Sequence, residues 1–187
     1  GASIYLVDSA FRESYDPRND TIVNGRSKGV DAIGGCCNVK VALDQAHIGR
    51  VEELIANDIV FVQTGCSAIA CAKAGFMIPE SAEKYAGKCL AEVCAAVGMP
   101  PVLHSGSCVD NSRILTALSE MVNIGGMGND ISDLPVAGAA PEWMSEKAIS
   151  IVHYFVASGV LTVFGVGLRV HGSKILRDYI FNELGKY

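Results

Sequence analysis

The spacing of apolar positions changes along this chain, and the changes mark out its elements. Short β-branched or apolar runs at 29–35 (GVDAIGG), 58–64 (DIVFVQT), 100–106 (PPVLHSG), 134–140 (LPVAGAA) and 160–166 (VLTVFGV) are punctuated by glycine, proline or polar turn residues, and each predicts a buried strand. Between them the apolar period lengthens to that of a helix. In 45–57, Ile48, Val51, Leu54 and Ile55 share one stripe, and in 81–98 Cys89, Leu90, Val93 and Cys94 share another. The run TGCSAIACAKAG at 64–75 passes directly from a strand end into a helix-forming stretch, and further helices are expected at 112–122, 144–158 and 174–184. Strands alternating with helices predict an α/β domain: an open, mostly parallel sheet flanked by helices.

Residues 1–28 stand outside this rhythm. SIYLV reads as an initial strand and RESYDPRND as an exposed polar loop, so the chain divides into an N-terminal strand and loop over 1–28 and the α/β domain over 29–187. The opening GAS, with no initiator Met and no leader pattern behind it, is expected to be a vector-derived scar or a cut point within a longer chain. The uncharged stretch from Ala148 to Leu168 is long enough to raise the question of a membrane span. Gly159 divides it, however, into a helix with a C-terminal glycine and a β-branched strand, and both are expected to be buried.

Composition narrows the function classes. Half of the residues are hydrophobic and mean hydropathy is +0.31, enough for one sizeable core. A net charge of −5 and a pI near 5.3, without a Lys or Arg run, leave no electrostatic footprint for nucleic acid or an anionic membrane. The seven cysteines are odd in number and lack the spacing of a secreted disulfide framework, so a reducing, cytoplasmic setting with free or metal-bound thiols is expected.

Three of those cysteines share one placement. Cys36 follows VDAIGG, Cys66 follows VFVQTG and Cys108 follows VLHSGS, so each lies just past a strand, after a glycine, with a helix ahead. In a parallel sheet the carboxyl ends of the strands face one crevice, where ligands bind. A helix start favours the thiolate that binds metal, and glycine lets the backbone approach a bulky ligand. Spacing by itself leaves these three open between metal ligand and core residue, while Cys71, Cys89 and Cys94 on helical stripes read as small hydrophobes. With no C-x₂-C pair, a zinc ribbon is disfavoured. His47, His153 and His171 have no evident constellation around them.

The words around the cysteines carry more. GGCCNVK (34–40), TGCSAIACAKAG (64–75), HSGSCVDNSR (104–113) and APEWMSEKA (140–148) resemble, in this order, the C-terminal domain of anaerobic nickel-containing carbon monoxide dehydrogenases, over roughly Ile22 to Lys174. The resemblance implies a Rossmann-like domain and oxidation of CO with water to CO₂, two protons and two electrons at a nickel-iron-sulfur C-cluster. It implies Cys36 and Cys66 as iron ligands, Cys108 as the nickel ligand, Lys147 as the catalytic lysine and Ile151 as the residue that narrows the CO pocket. A lysine ammonium there would stabilise negative charge growing on oxygen. His104 could hydrogen-bond near the cluster or relay protons, and Asp110, Asn111 and Arg113 are expected to cap the next helix and brace the Cys108 loop. A homodimer and a ferredoxin-type electron acceptor are implied for the complete enzyme.

The pattern is partial. The family's N-terminal cysteine-rich run, and the His and two Cys of its middle domain, are not among these 187 residues, which suggests a truncated or excised domain. Cys37 stands where the family string carries Asn or Thr, so either Cys36 or Cys37 could be the ligand, and the loop from Gly98 to His104 is short. Two other classes compete with the enzymatic reading: a module binding a nucleotide or another subunit at its strand ends, and a scaffold whose thiols stay metal-free. GVGLRVHGSK (165–174) supports the first of these little, because it lacks the third glycine of the dinucleotide fingerprint.

Overall fold

The computed structural model describes residues 28–124, 126–167 and 172–183. SIYLV, RESYDPRND and His171 lie outside the described residues, as does Leu184. Among the described residues, five strands form one sheet: β1 (Gly29–Ile33), β2 (Ile59–Gln63), β3 (Val102–His104), β4 (Val136–Ala140) and β5 (Leu161–Phe164). All pairings are parallel and the order is β3-β2-β1-β4-β5, with Val30 opposite both Val60 and Val136. This is the expected Rossmann-like α/β fold, and each of the five strands expected within 29–166 is present.

The pattern of each strand explains its place. β2 is buried along nearly its whole length because it lies inside the sheet between β3 and β1 and is covered on both faces, which a continuous apolar run such as IVFVQ permits. Phe61, Leu103 and Val102 from the sheet meet Ile55, Leu90 and Met121 from the helices, all fully buried, in one main core. The connecting helices are α1 (Gln45–Ala56), α2 (Gly65–Lys73), α3 (Ser81–Tyr85), α4 (Lys88–Val97), α5 (Asn111–Asn123), α6 (Glu146–Ala157) and α7 (Lys174–Asp178). The uncharged stretch is α6 followed by β5 as expected, but β5 is not buried: it is an edge strand with Leu161 and Val163 exposed. No helix among the described residues is long and apolar enough to cross a membrane.

Two helices differ from expectation. The stripe over 81–98 is broken into α3 and α4, because Ala86 and Gly87 are extended. The cause is Asp58, at the turn into β2. Its Oδ1 accepts from the Leu90 N–H at 2.9 Å, and a Cβ built on Gly87 would lie 2.3 Å from that same oxygen. The helix expected over 174–184 starts as α7 and widens into a π-helical turn at Tyr179–Glu183.

The chain runs outward from β1 through β2 to β3, then crosses back to β4 and β5 on the other side. Connections therefore leave β1 and β4 in opposite directions, and a crevice opens at their carboxyl ends. Cys36, Cys66 and Cys108 all lie at that end.

Candidate metal centre

Three strand-end loops meet at Gly65. It has φ +61, and a Cβ placed there would lie 3.3 Å from the Cys108 Cβ, 3.4 Å from the Cys108 nitrogen and 3.4 Å from the Gly35 carbonyl oxygen. The left-handed backbone and the crowding both require glycine. Gly65, the first residue of α2, thus lets the β1 loop with Cys36, the start of α2 with Cys66 and the turn after β3 with Cys108 pack together. Their main chains are tied as well, with Gly65 N–H donating to Gly106 O at 3.0 Å and Ser105 N–H to Gln63 O at 2.9 Å.

Cys36 is the best-prepared thiol. Its Sγ accepts from the Met144 N–H at 3.2 Å and the Ser145 N–H at 3.5 Å, both from the loop between β4 and α6. Burial pushes this thiol up, but those two N–H groups and the Ser145 hydroxyl outweigh burial and hold it below the ordinary cysteine value. Cys37 is the reverse case. Burial, and the hydrogen bond its thiol donates to Asp44 Oδ1 at 3.4 Å, push it up to about 12, so it stays a neutral thiol. Adjacent residues are thereby separated into a thiolate-favouring and a thiol-favouring site.

Lys147, in the first turn of α6, donates to Cys108 Sγ at 3.2 Å. This hydrogen bond and the nearby charge of Cys108 raise the lysine above its usual range, with Cys36 and Cys66 adding to the effect. One ammonium therefore senses all three sulfurs. Cys66 is exposed, and Cys36 and Cys108 are half-buried, so each thiol can be reached. Cys108, Asn111, Lys147, Ile151 and Tyr154 line an open crevice of about 450 Å³.

Residues 6–186 match the description Prismane/CO dehydrogenase family. The chain belongs to that family. Carbon monoxide dehydrogenase 1 of Methanosarcina mazei is 52% identical over 174 residues, which is 93% of this chain and 27% of that protein. Carbon monoxide dehydrogenase 1 of Carboxydothermus hydrogenoformans is 38% identical over 172 residues, 88% of this chain and 27% of that protein. A nickel-free carbon monoxide dehydrogenase structure from Thermococcus sp. AM4 superposes with a TM-score of 0.87 at 44% identity, covering 96% of this chain and 28% of that one. The chain thus spans about a quarter of the length of these carbon monoxide dehydrogenases.

Within this family domain the bracing residues lie around Cys108. Ser107 and Asp110 form a capping box, with Asp110 Oδ2 accepting from the Ser107 N–H at 2.8 Å and hydroxyl at 3.0 Å. These bonds hold the Asp110 carboxyl below the usual range, and Arg113 pairs with it at 3.3 Å. Buried Asn111 joins two cysteine loops: its Nδ2 donates to Cys108 O at 2.6 Å and its Oδ1 accepts from Thr64 Oγ1 at 3.0 Å. His104 turns Nε2 to the Gly106 carbonyl at 2.8 Å and so braces the same loop. Cys71 and Cys94 are buried core thiols, each pushed up to about 12 by burial, and Cys89 is half-buried.

One buried group was not read from the sequence. Glu142, in the PEWMSEKA word, is fully buried and accepts from the Ala46 N–H at 2.9 Å and the Asp44 N–H at 3.2 Å, so it holds the start of α1. Fully buried His47 lies beside it, Nε2 to Oε2 3.9 Å. Burial lowers the His47 pKa against the opposing pull of Glu142, so the ring is neutral at pH 7. The expectation that His47 lacks a constellation is therefore corrected. Its partners come from a distant loop. His153 pairs along its own helix with Ile149 O at 2.7 Å.

Proposed function

We propose that this domain belongs to a carbon monoxide dehydrogenase that oxidises CO with water to CO₂, two protons and two electrons, and that it contributes Cys36, Cys66 and Cys108 to the nickel-iron-sulfur C-cluster. The observation that carries this reading is the packing, at Gly65, of the three segments that carry these reachable thiols, with one lysine ammonium bonded to Cys108 and acted on by Cys36 and Cys66. The donor set suits such a group. Thiolates are the ligands of iron-sulfur clusters, Cys36 already rests on two N–H donors, and the lysine offsets the negative charge of a thiolate-rich site.

Cys36 and Cys66 would hold iron and Cys108 nickel, with the remaining ligands coming from outside these 187 residues. When bound, the cluster supplies a metal that takes the carbon of CO and a store for the two electrons. The chain's own residues do the rest. Lys147 would place a fixed positive charge near oxygen as it gains negative charge, and Ile151 would limit the room in the crevice it lines with Lys147. Asn111, Asp110, Arg113 and His104 hold the Cys108 loop in place, a positioning role that transition-state geometry rewards. A cytoplasmic homodimer passing electrons to a ferredoxin-type acceptor completes the proposal.

The test is CO-dependent reduction of a viologen dye by the complete enzyme carrying this domain, purified without oxygen. Reduction under CO and none under nitrogen is expected. A preparation with full nickel, iron and sulfide that shows no CO-dependent reduction would overturn the reading.

A further inference from the structure

We infer that Cys37, His47 and Glu142 form a second metal site, for a divalent transition ion of the zinc class, adjoining the three strand-end cysteines and sharing no donor with them. One ligand atom from each of the three residues lies within 4.8 Å of the others. His47 is fully buried, and neither Nδ1 nor Nε2 makes a hydrogen bond of ordinary geometry, although the Cys36 backbone and Glu142 both act on the ring. Buried polar side chains are almost always partnered, so an imidazole this poorly satisfied beside a buried carboxylate points to a cation between them.

The three donors are prepared to different degrees. Each Glu142 oxygen accepts one backbone N–H from the start of α1, which fixes the carboxylate and leaves a lone pair on each oxygen. His47 is fixed by the core around α1. Cys37, half-buried, is the donor at the mouth. Zinc-type bonds of about 2.0–2.3 Å put tetrahedral donors roughly 3.5 Å apart, so Cys37 has to turn inward from Asp44 to complete the set. As the sulfur–metal bond forms, the thiol proton is released to solvent. One sulfur, one imidazole nitrogen and one carboxylate oxygen suit Zn²⁺ or Co²⁺ over the hard ions Mg²⁺ and Ca²⁺, and three protein donors leave a fourth position for water.

The experiment uses this chain with Cys36→Ser, Cys66→Ser and Cys108→Ser, so that the strand-end sulfurs cannot contribute, titrated anaerobically with Co²⁺ and then Zn²⁺. One cobalt per chain is expected, with thiolate-to-cobalt charge-transfer absorption that zinc abolishes by displacement. Cys37→Ser in that background should remove the absorption, and His47→Gln should weaken binding by about tenfold or more. If His47→Gln fails to fold, Cys37→Ser, at the mouth of the site, decides the question. The inference is overturned if the triple variant binds no cobalt, or if its charge-transfer absorption survives Cys37→Ser.

Discussion

Lys147→Ala in the complete enzyme is expected to lower CO oxidation by about 10²–10³-fold, the usual cost of losing one preorganised donor to developing oxyanion charge. The side chain is exposed, and its partner is the sulfur of Cys108 at 3.2 Å. Its removal should therefore leave the thermal midpoint unchanged. Iron and sulfide content should also hold, because lysine is not a ligand in this account. Lys147→Arg keeps the charge but moves the donors, and intermediate activity is expected. Turnover and metal content measured on the same preparations check the assignment. Wild-type turnover in Lys147→Ala would remove the lysine from the chemistry, and equal loss of metal and activity would make it a structural residue.

Glu142→Leu is expected to destabilise the domain by about 3–5 kcal/mol, read as a lower denaturant midpoint. The carboxylate is fully buried and accepts from the N–H groups of Asp44 and Ala46. Leucine of similar size fills the space but leaves both donors unpaired in the core, at about 1–3 kcal/mol each. Glu142→Gln retains one oxygen acceptor and should fall between wild type and Leu. An unchanged midpoint for Glu142→Leu would mean that α1 does not depend on this carboxylate. The effect matters for function because the same loop supplies the Met144 and Ser145 N–H groups to Cys36.

What could be read from the chain depended on how local the cause was. All five strands were legible, since each is a short apolar run closed by turn residues. The placement of Cys36, Cys66 and Cys108 at strand ends was legible for the same reason. The break at Gly87 was not, because it is imposed by Asp58, which reaches Leu90 only once the chain has folded. Nor were the donors to Cys36 foreseeable, since backbone N–H groups carry no residue signature. Glu142 and His47 escaped for a related reason: they meet across α1 and the β4–α6 loop, and neither position looks unusual in its own segment. The adjacent cysteines illustrate the same limit. Cys36 and Cys37 are equivalent as letters, and differ only because one faces two N–H donors while the other faces a carboxylate.

The most direct test of the central claim is the nickel, iron and acid-labile sulfide content of the complete enzyme carrying this domain, purified without oxygen, with and without Cys66→Ala. The account predicts that the variant loses nickel and part of the iron and sulfide. Metal and sulfide content unchanged by Cys66→Ala would contradict the claim that these three sulfurs form one ligand set.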